Sequence, residues 1–120
     1  MTSPRPQTLS FTDRAGRKVL KVPLDKAGRD HTKILDSDYR RLLRMGSNGV
    51  LIGHVVDGKK YVRTNIKADD GSRRQEMVAR LLVGKPRGGV IRYVDGDPTD
   101  LTPENILYIN NSRTASQRRK

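Results

Sequence analysis

The 120-residue chain has no cysteine, no tryptophan and only one phenylalanine. Without cysteine, disulfides and Cys-based zinc sites are excluded, and nothing points toward secretion. One Phe and four Tyr are too few to build an aromatic platform for stacking single-stranded bases. No apolar run approaches the roughly 18 residues that a membrane span needs. The stretch from Met1 to Ser10 places Pro4 and Pro6 among Thr and Ser and has no apolar h-region, so no signal peptide is expected. Hydrophobic residues are 33% of the chain, which is low for a globular protein. The core should therefore be small and the stability margin thin. The length suits one domain.

Positive charge is what the chain has in excess. There are 25 Lys and Arg against 13 Asp and Glu, a formal charge of +12. The excess is not confined to a tail: residues 1–60 hold 13 basic and 6 acidic side chains, residues 61–120 hold 12 and 7. A small domain this basic repels itself unless a polyanion neutralises it. Nucleic acid is the leading partner, bound through release of condensed counterions. The competing readings are a merely soluble basic protein and an anionic membrane surface. The second has no long basic amphipathic helix to support it.

Local pattern divides the chain into a disordered arm (1–14), one α+β domain (15–112) and a basic tail (113–120). Leu20, Val22 and Leu24 alternate in a first strand from Arg17 to Leu24, which Pro23 marks as an edge or an end. A polar loop covers Lys26 to Thr32. Asp36 is the expected N-cap of a helix whose buried stripe is Tyr39, Leu42 and Leu43 and whose stop is Gly46. Asn48 to Ile66 reads as a β-hairpin turning at Asp57-Gly58. Its exposed face should carry some of Lys60, Arg63, Thr64 and Asn65. A second helix is expected from Arg74 to Leu82, ended by Gly84, then a strand from Val90 to Val94 and a turn from Asp95 to Asp100. Thr102 should cap a short helix with Pro103 at its first position. Leu107, Tyr108 and Ile109 should return to the core.

This order of parts resembles the HNH endonucleases of bacteriophages and bacteria, in the branch where a β-rich lobe (here 15–66) precedes the nuclease module (67–112). The matching pieces are Val22-Pro23-Leu24, Asp36-Ser37-Asp38-Tyr39, the hairpin, Val78-Ala79-Arg80-Leu81-Leu82, Val90-Ile91-Arg92-Tyr93-Val94-Asp95-Gly96-Asp97 and Glu104-Asn105-Ile106. The resemblance implies a ββα module in which a His serves as general base and an Asp and an Asn hold a divalent cation. This chain departs from that pattern. Tyr93 stands at the base position, and a phenol with an ordinary pKa of about 10 is a poor base at neutral pH. Arg92 stands at the metal-ligand position, where a guanidinium repels a cation. Ala79 replaces a further His, and Leu101 replaces an Asn that braces the loop. Asn105 alone survives, and one neutral amide does not hold magnesium.

The expected function is binding of double-stranded DNA without cleavage, with no cofactor and no metal. Arg92, Arg80, Lys85 and Arg87 would form a basic strip near the degenerate site. Lys60, Arg63 and Asn65 would contribute from the hairpin, which could enter a major groove. Arg118 and Arg119 in the tail would add non-specific affinity. Two rival readings stay open. One is a magnesium-dependent nuclease with an unusual base, either Tyr93 or a histidine (His31 or His54) brought in by folding. The other is a phage-type interaction protein or RNA binder. A bacterial or phage-infected cytoplasm is the expected location.

Overall fold

The computed structural model describes residues 7–84 and 89–110. It is a mixed α+β structure of eight strands in three small antiparallel sheets with two short helices. The first sheet has the order β1 (Leu9–Thr12), β2 (Lys18–Pro23), β3 (His31–Leu35). Helix α1 (Asp36–Arg44) follows. The second sheet has the order β4 (Ser47–Val56), β5 (Lys59–Lys67), β6 (Arg73–Met77). Helix α2 (Val78–Val83) leads to the last pair, β7 (Gly89–Tyr93) and β8 (Ile106–Asn110). Between these two strands residues 94–105 form a loop that ends in a 3₁₀ turn, Pro103–Asn105. No helix among the described residues is long and apolar enough to cross a membrane.

One core draws on residues from Leu20 to Ile106. Leu20, Val22 and Leu24 meet Ile34, Leu42, Leu51, Val62, Val78, Ala79, Leu82 and Leu101. The boundary expected at residue 66 falls inside β5, whose pairing with β6 joins the two halves. Leu101 is 1% exposed and belongs to the core. The main chain beside it is sutured to the first sheet, where Leu101 N donates to Lys33 O and Lys33 N to Thr99 O.

Several local expectations differ from the structure. Of the arm expected to be irregular through residue 14, Leu9 to Thr12 form β1 by pairing along β2; residues 1–6 and the tail 113–120 lie outside the described residues. The polar loop ends early, because His31 and Thr32 already belong to β3. Asp36 does not cap α1. It is the first helical residue and its carboxylate takes Arg40 Nε at 2.9 Å. Leu43 is 44% exposed, leaving Leu42 as the buried member of the stripe. Arg74 to Met77 are strand, not helix. Their main chain pairs with β5, and this pairing overrides the helix-favouring side chains. Thr102 makes no side-chain cap, since its hydroxyl donates to Asp100 Oδ1. Leu107 and Ile109 are largely exposed on β8 and do not return to the core.

The hairpin forms where the sequence places it. Asp57 has φ 51° and Gly58 φ 79°, the pair of left-handed residues that a type I′ turn requires and that suits the twist of the flanking strands. Along β5 the side chains alternate: Val62, Thr64 and Ile66 are buried, while Tyr61, Arg63 and Asn65 face the other way.

Candidate nucleic-acid interface

The loop after β7 is held from inside. Asn105 is buried, and both ends of its amide are engaged. Oδ1 accepts the Asp95 N–H at 2.9 Å, and Nδ2 donates to the carbonyls of Asp100 at 2.9 Å and Asp97 at 3.3 Å. The carboxylates of the loop are likewise occupied. Asp95 takes the Asp97 N–H, Asp97 takes the N–H and hydroxyl of Thr99, and Asp100 takes those of Thr102. These are Asx-type turn bonds. Each of these bonds uses one oxygen of its carboxylate, and among the described residues no group of three or more His, Cys, Asp or Glu side chains is placed to hold a metal ion.

Arg92, Tyr93 and Asn105 do not converge. Arg92 and Tyr93 are consecutive on β7, so the pleat sends them to opposite faces. Tyr93 turns inward against the core and lies beside Tyr61, with ring centroids 6.2 Å apart. Burial, reinforced by Tyr61 and opposed by the Arg80 cation, pushes its phenol up to about 12. That makes it a weaker acid than free tyrosine and leaves it protonated at neutral pH. Asn105 points into its own loop, and Arg92 is exposed.

Arg80 donates to the Gly89 carbonyl at 3.2 Å and helps to hold the start of β7. Arg92, Lys59, Tyr61 and Tyr93 line one shallow cleft of about 370 Å³. Lys85, Arg87, Arg118 and Arg119 lie outside the described residues. The fold also sets His54 directly across from Tyr61 in the β4–β5 register, as a two-residue turn at Asp57-Gly58 requires. His31 lies in a cleft with Phe11, Lys21, Lys33, Asp97, Thr99 and Asp100, so the fold brings this histidine to the 94–105 loop.

The second sheet separates its charges by face. In the register of β4, β5 and β6, the pairs Val56–Lys59, His54–Tyr61, Ile52–Arg63, Arg63–Met77, Asn65–Gln75 and Lys67–Arg73 share one face. That face carries four cations, Lys59, Arg63, Lys67 and Arg73, and no carboxylate. The opposite face holds the core residues Leu51, Val62, Thr64 and Ile66, with the Arg74–Glu76 pair (2.6 Å) at its margin. The remaining carboxylates of this region, Asp57, Asp69 and Asp70, sit in the two turns.

The hairpin residues singled out from sequence therefore divide. Arg63 and Asn65 lie on the basic face. Thr64 is fully buried, its hydroxyl donating to the Val50 carbonyl at 2.9 Å and lying 2.7 Å from the Ser47 hydroxyl. Lys60 turns to the other side. Its stem lies over Gly53, where a Cβ would come within 2.8 Å of it, and its ammonium pairs with Asp30. Lys59, Lys67, Arg73 and Gln75 were not picked out from sequence. For Lys59 and Lys67 the signal is a period-2 offset from Val62 and Ile66 along β5; Arg73 and Gln75 are readable only once β6 is known to be a strand.

Comparison with known proteins adds no relative: no family model matches the chain, and no curated protein or solved structure matches it either.

Proposed function

We propose that the chain binds double-stranded DNA without cleaving it, through the exposed face of β4, β5 and β6, with Arg92 extending that surface past Lys59. The observation that carries this reading is the segregation of charge on one sheet. Four cations and two carboxamides share a face with no acidic side chain, while each nearby carboxylate is in a turn or on the other side. Cations without internal counter-ions at fixed spacing favour a polyanion. A two-stranded ribbon such as β5–β6 fits a major groove about 12 Å wide.

The resemblance to HNH endonucleases supports the same reading from the other side. In a degenerate ββα module, Arg92 replaces a metal ligand with a direct phosphate contact. Tyr93 is a half-buried neutral phenol, and the Asn105 amide is spent on its loop. Such a protein would work in the cytoplasm of a bacterial cell or a phage-infected host.

The test is fluorescence anisotropy with a labelled duplex of about 20 base pairs across a salt series. Affinity should fall steeply with salt, and the combined variant Lys59→Ala/Lys67→Ala/Arg73→Ala should lose close to three units of the log–log slope. No binding at low salt overturns the proposal. A plasmid-nicking assay with magnesium or manganese should show no cutting, and divalent-dependent cutting would restore the nuclease reading. A pull-down partner that survives nuclease treatment and high salt would favour a protein partner instead.

A further inference from the structure

The basic face is built in layers, and its middle layer is not charged. The register stacks Arg63–Met77, then Asn65–Gln75, then Lys67–Arg73. Asn65 and Gln75 are direct cross-strand partners, so their Cβ atoms are about 5 Å apart. The cations to either side are one side-chain repeat away along the strands, about 7 Å. Among the described residues no hydrogen bond holds either carboxamide. This sets them apart from Asn48, whose Oδ1 accepts the Val50 N–H, and from Asn105. Arg63 reaches across to β6 and donates to the Gln75 carbonyl at 3.1 Å, which fixes the main chain under the amide pair. The β4–β5 register shifts between Ser47 and Leu51, so no regular strand residue crowds Asn65 from that side. On that side of Asn65 lies a depression of about 240 Å³, lined also by Gly46, Ser47, Asn48, Ile66, Lys67 and Arg73, with Gln75 outside it.

We propose that Asn65 and Gln75 read base edges in the major groove of a DNA duplex, each preferring adenine, while the flanking cations hold the phosphates. This rests on the DNA-binding reading above and adds sequence specificity to it. A carboxamide has one acceptor and two donors, matched by the N6 donor and N7 acceptor that adenine shows in the major groove. Two amides about 5 Å apart suit neighbouring base pairs better than a single base. The division of labour is the usual one, in which phosphate contacts set register and base contacts set sequence. Double-stranded RNA is a poor alternative for this pair, because its major groove is too deep and narrow for side chains to read.

The experiment is selection of a binding site from a randomised duplex pool by the intact chain, followed by affinity measurements on that site. The selected site should contain adenines at adjacent or near-adjacent positions. Asn65→Ala and Gln75→Ala should each weaken binding to it by about tenfold or more. Affinity for random duplex and the salt slope should not change, since neither residue is charged. Asn65→Asp is the sharper variant. It keeps the shape but only accepts hydrogen bonds, so the preferred base at one position should change from adenine to cytosine, whose N4 donates. Excess double-stranded RNA should not compete for the sequence-specific component. If the chain binds duplex DNA but selects no sequence, or if the three variants retain its preference, this inference fails and the DNA-binding reading stands. If no duplex is bound at all, the reading beneath it fails.

Discussion

Two polar regions of this molecule invite comparison, the Asp-rich loop of residues 94–105 and the exposed face of β4–β6. Both are dense in side chains capable of hydrogen bonding. In the loop nearly every such group is spent internally: three Asp side chains close Asx turns, and Asn105 ties Asp95, Asp97 and Asp100 together. On the sheet face the carboxamides of Asn65 and Gln75 have no internal partner among the described residues, and Lys59, Lys67 and Arg73 face no carboxylate across the register. A satisfied network maintains shape, while an unsatisfied one at the surface is available to something else. By this measure the stretch that most resembles a catalytic motif is scaffold, and the stretch with no motif at all is the better candidate for recognition.

The largest expected effect belongs to the loop. Asn105→Ala removes the acceptor of Asp95 N–H and the donor to two carbonyls at a buried position, and should cost about 3 kcal/mol in urea denaturation. Arg73→Ala, on the exposed face, should cost within about 0.5 kcal/mol. If Asn105→Ala were as mild as Arg73→Ala, the loop would not be held by its network and the contrast would collapse.

Next comes pH. The unfolded phenol of Tyr93 titrates near its ordinary value of about 10, whereas in the folded chain burial holds it at about 12. The raised value means that the folded state keeps its proton where the unfolded state has lost it. The resulting stability is intact below pH 10 and is lost as pH rises from about 10 to 12. Tyr39, also raised by burial, adds to the same alkaline loss. Tyr93→Phe should flatten part of that decline in a pH series of thermal melts and leave DNA affinity at pH 7 unchanged. A large loss of activity or binding at neutral pH would instead give the phenol a chemical role.

Much of this was legible beforehand, for physical reasons that differ by element. The hairpin turn could be read because Asp57-Gly58 is a local signal: both residues need positive φ, and both have it. The Gly84 stop of α2 could be read for the same reason, with φ 65°. The strands β1 and β6 could not. Arg73-Arg74-Gln75-Glu76 has no apolar alternation, and its conformation comes from partners on β5. Thr64 looked like a surface residue because its type is polar; Ser47 and Val50, which satisfy its hydroxyl, lie far away in sequence. Asn105 was legible as important but its task was not, since nothing in a tripeptide shows that an amide points into its own loop. The basic composition was plain from the start, but which cations share a face depends on register, and register is a tertiary property.

Arg92 tests whether the end of β7 belongs with the loop or with the face. It is exposed and shares a cleft with Lys59. Arg92→Asp should weaken binding to all duplex sequences alike and lower the salt slope by about one unit, with little change in stability. An unchanged slope would remove Arg92 from the interface and confine recognition to the second sheet.

The finest test uses two neighbours in the chain. Lys59 and Lys60 have the same charge and adjoin the same turn, so sequence alone cannot rank them. In the structure they are on opposite faces: Lys59 is with Tyr61 and Arg63, while Lys60 lies over Gly53 and is neutralised by Asp30. Lys59→Ala should therefore lower the salt slope by about one unit, and Lys60→Ala should leave it where it was. Non-specific attraction to the net charge of the whole chain predicts equal losses from both. Equal slopes would mean that DNA responds to the chain's overall charge and does not distinguish one side of the sheet from the other. A difference between them would show that the alternation of β5 is what orients the protein on its partner.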